Sequence, residues 1–192
     1  MNTNTPTQKT RELQNHHFDS TIWNDFRFRP DDIIISTYAK PGTTWMQQII
    51  AQLLHNGDPD VEVAEMSPWL DLRVPPKEVK LPVVEAQTHR RFLKTHLPVD
   101  ALVFSPGARY VYIGRDGRDV VWSMYNHHAN ANATKSAPLG GAFWDAGAQV
   151  FGNKGVNGRW TDTLTGDDVR EYEARAEVEL GVECARWIAD GG

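Results

Sequence analysis

Residues 38–45, with the sequence YAKPGTTW, are the feature that most constrains how this chain folds. They follow an apolar run at 33–35 and lead into a segment with helical periodicity, which predicts a strand, a tight loop and a helix. The first N–H groups of a helix lack helical partners, and the helix dipole adds partial positive charge there. Lys40 adds a full charge, and Thr43 and Thr44 add hydroxyl groups. The segment therefore predicts an anion-binding loop, and an ordinary strand–turn–helix connection is the alternative.

This loop differs from the G-x-x-x-x-G-K-[ST] sequence of many nucleotide-binding proteins. Lys40 comes two residues before Gly42, whereas that motif places its lysine directly after the glycine. The order disfavours an ATPase or a kinase.

Length and charge limit the remaining classes of function. The 192 residues suggest a flexible tail at 1–14 and one domain at 15–192. A net charge of −5 provides no overall field that attracts nucleic acid. Cys184 is the one cysteine, which excludes an internal disulfide and fits a reducing compartment, the cytoplasm. The polar start predicts neither a signal peptide nor a membrane anchor, and no apolar run is long enough to span a bilayer.

Apolar periodicity predicts an α/β fold. We predict strands at 32–38, 91–95 and 109–114, and helices at 43–55, 119–127 and 167–180. The Pro-rich region 60–87 is predicted to be irregular, with short helical turns. The alternation of strands and helices indicates a parallel sheet covered by helices. In the first helix, the predicted buried face consists of Trp45, Met46, Ile49, Ile50, Leu53 and Leu54.

Two further segments place polar side chains directly after predicted strands. His96 ends the second strand, so it is expected at the same sheet edge as Lys40, where ligands of parallel sheets bind. A histidine there suits a general base, although a structural histidine is the alternative. Arg115 follows the third strand, and Ser123 lies two helical turns beyond it. An arginine fork and a hydroxyl can hold a second phosphate.

Two weaker features accompany these segments. Arg118 and Asp119 can belong to the same site or to a solvated charged turn. Residues 153–160, NKGVNGRW, form a basic, glycine-containing loop that has little specificity alone.

Taken together and in this order, the four segments resemble the motifs of the cytosolic-type sulfotransferase family. Its members move a sulfuryl group from 3′-phosphoadenosine 5′-phosphosulfate to an acceptor. Residues 38–45 resemble its first phosphate loop, residues 94–98 match its KTHLP motif, and residues 153–158 approximate its RKGxxG loop. The positions that match its 3′-phosphate motif are Arg115, Asp119, Val120 and Ser123. The resemblance implies a P-loop NTPase-like, three-layer α/β sandwich with a central parallel sheet flanked by helices.

The resemblance also implies roles for individual residues. Lys40 would stabilise charge on the oxygen that links sulfate to phosphate, Lys94 would support the electrostatics of the centre, and His96 would remove the acceptor's proton. The 5′-phosphate would be held by Gly42, Thr43, Thr44 and Trp45, and the 3′-phosphate by Arg115, Ser123, Lys154 and Gly155. These site residues imply no metal ion, and the implied acceptor is a small-molecule alcohol or phenol.

The chain departs from the family pattern at several positions. Pro41 stands where the family usually has serine, and Asn153 stands where it has arginine, so one cation for the 3′-phosphate is lost. The family's dimerisation signature is not recognisable, which leaves monomer and homodimer both open. The interval between Ser123 and Lys154 is short. We interpret this as an internal deletion near 129–134, or as a segment not included in the printed sequence.

Three functions are consistent with these patterns. The leading hypothesis is a sulfotransferase. A nucleotide-binding remnant that has lost its acceptor pocket is the second hypothesis, and a P-loop kinase or hydrolase is the third. Five apolar residues are candidates for the lining of an acceptor pocket, and a place in the core is the alternative for each of them. They are Trp69, Leu70, Phe92, Phe143 and Trp144.

Overall fold

The structure, a computed structural model, describes residues 8–129 and 156–191. The chain separates into two compact units, Met1–Ile113 and Gly114–Gly192, and each is described by itself. Lys154, Gly155, Phe143, Trp144 and nearly all of the predicted junction at 129–134 lie outside the described residues. The single domain expected over 15–192 stays a prediction.

The first unit contains a three-stranded parallel sheet. Its strands are β1 (Ile33–Thr37), β2 (Phe92–Thr95) and β3 (Arg109–Ile113), in the order β2–β1–β3. Ser36 of β1 lies beside Thr95 of β2 and Tyr112 of β3, so the carboxyl ends of the strands meet at one edge. The sheet and the helices around it confirm the predicted α/β class, and all three predicted strands are present.

Both faces of this sheet are covered. Because side chains alternate along a strand, Ile34 and Ile35 of β1 point to opposite faces. On one face, Ile35 packs with residues of helix α2 (Thr43–Leu54), and α3 (Val63–Met66) borders this cluster. On the other face, Ile34 packs with residues of α1 (Ile22–Asp25) and α4 (Lys77–Ala86). Helices and connecting segments therefore enclose the sheet as a three-layer sandwich, as expected.

The buried face of α2 differs from the prediction. Trp45, Ile49 and Leu53 were predicted to be buried, but 64%, 47% and 74% of their surface is exposed. The residues of α2 that are buried are Thr43, Gln47, Ile50 and Ala51. Gln47 is accommodated because its Nε2 donates to the Ser67 carbonyl at 2.7 Å and to its hydroxyl at 3.0 Å. Apolar periodicity cannot detect such a partner. The predicted face was correct for Ile50, with Met46 and Leu54 packing against the same cluster, and wrong for the other three residues.

The Pro-rich region contains more helix than predicted. Residues 60–87 include α3 and the ten-residue helix α4, which is longer than a short helical turn. Pro76 occupies the N-cap of α4, where a missing N–H has no cost, and Val84 anchors the helix in the core. Proline therefore marks the start of a helix here and not an irregular loop.

The described part of the predicted tail makes specific contacts. The N–H groups of Thr10 and Arg11 both donate to the Asp100 carbonyl, at 2.8 and 3.1 Å. The Arg11 guanidinium pairs with the Asp100 carboxylate at 2.7 Å, and Leu13 packs against the core. Residues 8–14 are thus attached to the first unit.

The described part of the second unit contains α5 (Gly117–Ala129), α6 (Gly166–Leu180) and α7 (Val182–Asp190), with a short 3-10 turn at Arg159–Asp162. The Thr165 side chain caps α6 and forms a reciprocal capping box with Asp168. Gly181, with a φ of +79°, ends α6, close to the predicted end at residue 180. Helix α7, with nine residues, follows immediately and was not predicted.

Replacing Gly117 with alanine is expected to lower the free energy of unfolding by about 1–3 kcal/mol, because a Cβ overpacks its surroundings. That Cβ would lie 2.7 Å from the Tyr172 ring, whose hydroxyl accepts the Gly117 N–H at 2.8 Å. Urea denaturation would measure the change. Gly166→Ala is the matched control, since its Cβ meets only the flexible end of Arg170, at 3.3 Å. Equal stability of the two variants would contradict the expectation.

Candidate active site

The loop between β1 and α2 has an unusual backbone. Lys40 has a φ of +73° and Gly42 a φ of +123°, both in the left-handed region that L-residues rarely adopt. A Cβ on Gly42 would meet nothing within 4 Å, so its conformation, and not lack of space, requires glycine. Two such residues within three positions turn the chain sharply into α2. The unpaired N–H groups at the start of that helix face the end of this loop.

The hydroxyls of the loop have different surroundings. Thr43 is buried, and its Oγ1 lies 2.6 Å from the Oγ1 of Thr37 at the end of β1. This bond fixes α2 to the sheet and leaves the backbone N–H as the group that Thr43 offers to an anion. Thr44 and Trp45 are exposed. Of the two hydroxyls expected at the site, the Thr44 hydroxyl is the accessible one.

His96 directly follows β2 and is bonded to the neighbouring strand. Its Nδ1 lies 2.9 Å from the Thr37 carbonyl oxygen and 3.3 Å from the Thr37 hydroxyl. A carbonyl oxygen only accepts, so Nδ1 carries the proton and Nε2 of the neutral ring is the acceptor. Burial lowers the pKa of His96, and the charges of Lys94 and Lys40 lower it further. The bond to Thr37 and the charge of Asp71 act in the opposite direction.

Lys94 and His96 both lie near the Trp69 ring. The segment before Trp69 pairs with β2, since the Lys94 N–H donates to the Pro68 carbonyl at 3.2 Å. The Trp69 ring contacts His96 edge-on, at 4.6 Å between centroids, and the Lys94 Nζ lies 5.4 Å from the same ring. Burial lowers the pKa of Lys94, and Lys40 lowers it further. The structure therefore brings Lys40, Lys94 and His96 together at the carboxyl edge of the sheet.

In the second unit, Arg115 is held by the loop before the 3-10 turn. Its Nη2 donates to Asn157 Oδ1 at 3.0 Å and lies 3.9 Å from Asp119 Oδ1. Asp119 in turn accepts the Gly158 N–H at 2.9 Å. Ser123 is half-buried on α5. The part of the C-terminal loop that is described is thus attached to Arg115.

The alternative of a solvated charged turn is wrong for Arg118 and Asp119. Both are buried, and so is Asp116. The Arg118 guanidinium pairs with Asp116 at 2.6 Å and with Glu173 at 2.7 Å, and it stacks 4.2 Å from the centre of the Trp160 ring. These partners raise the pKa of Arg118, led by the bond to Asp116. Arg118 therefore links α5 to other parts of the second unit through these ion pairs and the ring contact.

Three residues near the candidate site were missed in the sequence. Asp71 is fully buried, and Lys80 donates from its Nζ to the Leu70 carbonyl at 3.0 Å and to the Leu72 carbonyl. Burial lowers the pKa of Lys80 to about 8. Asn157 holds Arg115. The available signals were weak: an aspartate within the apolar stretch WLDL, and an asparagine within a glycine-rich loop.

The described ranges contain neither a metal-binding cluster nor a helix suited to crossing a membrane. Within 8–129 and 156–191, no cluster of three or more histidine, cysteine, aspartate or glutamate side chains is arranged to hold a metal ion. Among the helices of these same ranges, none has both the length and the apolar character needed to cross a membrane.

Residues 30–166 match the family model of the sulfotransferase domain. This chain therefore belongs to the sulfotransferase family, as its motifs predicted. It is 41% identical over 116 residues to a glycolipid sulfotransferase of Mycobacterium tuberculosis, which covers 59% of this chain and 35% of that protein. It is 33% identical over 163 residues to rat sulfotransferase 1 family member D1, which covers 81% of this chain and 52% of that protein.

The chain spans about half the length, or less, of these curated relatives. The fold also resembles the crystal structure of mouse sulfotransferase SULT7A1 complexed with PAP. That match has a TM-score of 0.61 at 16% identity and covers 88% of this chain and 93% of the mouse chain. At this identity the likeness supports the α/β sulfotransferase fold.

Proposed function

We propose that this chain is a sulfotransferase that moves a sulfuryl group from 3′-phosphoadenosine 5′-phosphosulfate to the hydroxyl of a small alcohol or phenol. The observation that carries the proposal is the placement of Lys40, Lys94 and His96 at one sheet edge, with the His96 Nδ1 proton directed to the Thr37 carbonyl. Family membership supports the choice of donor. So does the PAP (3′,5′-adenosine bisphosphate, the product left by this donor) in the crystal structure of the mouse sulfotransferase.

His96 supplies the base. Its Nε2 accepts the proton of the acceptor hydroxyl as that oxygen forms a bond to sulfur and the bond from sulfur to the bridging oxygen breaks. The Thr37 carbonyl holds the opposite ring nitrogen, so the ring does not need to reorient as it becomes charged. Because burial and two neighbouring cations favour the neutral ring, His96 is ready to accept a proton at neutral pH.

Lys40 and the start of α2 supply the positive potential. The backbone N–H groups of Thr43, Thr44 and Trp45 are proposed to bind the 5′-phosphate, and the helix dipole adds to their positive potential. Lys40 is placed to stabilise the charge that develops on the bridging oxygen. Preorganised groups of this kind act where charge develops and need no rearrangement during the reaction.

The second phosphate distinguishes this donor from ATP. Arg115 is proposed to hold the 3′-phosphate, with Ser123, Lys154 and Gly155. The Arg115 Nη2 that now donates to Asn157 has the planar geometry that suits two phosphate oxygens. We place the reaction in the cytoplasm, since the chain has a single cysteine, and we propose no nucleic-acid partner, since its net charge is −5.

Replacing Arg115 with alanine is expected to weaken the binding of 3′,5′-adenosine bisphosphate about 10- to 100-fold, the effect of one lost charge-assisted hydrogen-bonding group. Isothermal titration calorimetry measures both affinities. Adenosine 5′-phosphate, which lacks the 3′-phosphate, should bind the variant and the wild type equally. Arg175→Ala, in which the lost guanidinium pairs on the surface with Glu179, is the control. Equal bisphosphate affinity, or displacement of the bisphosphate by ATP at lower concentration, would contradict the proposal.

A second candidate function is nucleotide binding without transfer. The observation that favours it is the short interval between Ser123 and Lys154. Tight binding of the bisphosphate together with no transfer to any alcohol or phenol would select this function over the first.

A further inference from the structure

Asp71 is a fully buried carboxylate in the segment between α3 and α4. Its Oδ1 accepts the indole N–H of Trp23 at 3.1 Å, and its Oδ2 accepts the indole N–H of Trp69 at 2.8 Å. Both donors are neutral. A buried carboxylate is costly unless hydrogen bonds and nearby positive charges compensate for its lost hydration.

One of the two indoles links Asp71 to His96. Trp23 is almost fully buried in the core and provides a fixed point on one side of the carboxylate. Trp69, on the other side, contacts the His96 ring edge-on at 4.6 Å and lies 5.4 Å from the Lys94 Nζ. The carboxylate therefore fixes the ring against which both proposed catalytic side chains rest.

Two lysines, Lys80 and Lys94, lie near the same segment. The Lys80 ammonium donates to the carbonyls of Leu70 and Leu72, the two residues that flank Asp71, and so restrains the backbone on both sides. The negative charge of Asp71 raises the pKa of Lys80, of Lys94 and of His96, whereas burial lowers all three.

We propose that Asp71 is a positioning residue for sulfuryl transfer, which holds the Trp69 indole against His96 and provides the counter-charge for Lys94 and Lys80. This inference rests on the proposed function. Without Asp71, Lys94 would keep its proton less readily beside Lys40, and His96 would become a weaker base. Four groups around His96 affect its pKa: Lys94 on β2, Lys40 in the loop after β1, the Thr37 carbonyl on β1, and Asp71.

The decisive variant is Asp71→Asn, which keeps the shape of the side chain and removes its charge. The pKa of His96, measured by NMR without any substrate, is expected to fall, because the group that raised it is gone. The indole N–H signals of Trp23 and Trp69 should both move. The transfer rate kcat should drop on the order of 10-fold with bisphosphate affinity unchanged, as expected for lost positioning. The acid limb of the pH–rate profile should move to lower pH.

Asp25→Asn is the matched control, since it removes the same charge from an exposed ion pair with Lys77. It should change none of these readouts. An unchanged His96 pKa and an unchanged transfer rate in Asp71→Asn would overturn the inference and leave the proposed function intact. A wild-type protein without transfer activity, whose His96 pKa still falls in the variant, would overturn the proposed function and leave the placement of Asp71 intact.

If Asp71→Asn does not fold, Trp69→Phe provides the test. Phenylalanine keeps a ring beside His96 but removes the N–H that Asp71 holds. A roughly 3-fold or larger loss of kcat, with a shifted His96 ring signal and unchanged bisphosphate affinity, is expected. Wild-type values for both the His96 signal and kcat would overturn the inference.

Discussion

Replacing His96 with asparagine is expected to lower kcat for sulfuryl transfer by about 10²–10⁴-fold, the usual contribution of a positioned general base. Asparagine can still donate an N–H to the Thr37 carbonyl, but it offers no basic nitrogen to the acceptor. The rate of 3′,5′-adenosine bisphosphate formation with a panel of phenols and alcohols measures the loss. The affinity for the nucleotide should stay at the wild-type value, because His96 has no proposed role in holding either phosphate.

His89→Asn is the control for this variant. His89 lies in the same unit, and its Nδ1 also meets a backbone carbonyl, that of Arg90, at 2.9 Å. Its replacement should leave kcat unchanged. Undiminished transfer by His96→Asn would show that His96 is a structural histidine, the alternative that the sequence left open.

The pH dependence of kcat tests the same base. Burial first, and then the charges of Lys94 and Lys40, set the pKa of His96 below its ordinary value of 6.5. A base is active in its neutral form, so the rate should fall only as the pH drops through this lowered pKa. Wild-type protein should therefore keep its activity somewhat below pH 6.5, and a fall in rate that begins well above that value would contradict the assignment.

The site was predictable from the sequence where it depends on local order along the chain. Lys40 and His96 each follow an apolar strand, and parallel strands bring such positions to one edge. The capping box at Thr165 was predictable for the same reason, since both partners lie within four residues. Short-range patterns determine the capping box and the ends of the strands, and the parallel pairing of β1 with β2 then brings the two strand ends together.

Features that depend on a partner in another element or segment were not predictable. The burial of Gln47 depends on Ser67, and the burial of Asp71 depends on Trp23, 48 residues away in the chain. The Thr43 hydroxyl bonds to Thr37, although its position in the loop suggested a phosphate ligand. In each case a single sequence shows the polar group but not the partner that satisfies it.

Replacing Lys40 with methionine is expected to lower kcat by about 10²–10³-fold, the typical effect of removing one group that stabilises developing charge. Methionine keeps an unbranched side chain of similar length and removes the positive charge. The left-handed φ of +73° is equally unfavourable for both residues, so the folding stability should change little. Single-turnover kinetics with saturating donor isolate the transfer step from donor binding.

The variants Lys40→Gly and Lys40→Arg distinguish the effect of the charge at this position from the effect of its backbone conformation. Glycine also lacks the charge but adopts a positive φ without strain, so it should lose as much activity as methionine. Arginine keeps the charge with a broader, planar group, so it should retain more activity than either uncharged variant. If methionine and glycine both transferred at the wild-type rate, the charge of Lys40 would have no part in the reaction. If only glycine were active, the backbone of the loop, and not the ammonium group, would determine the rate.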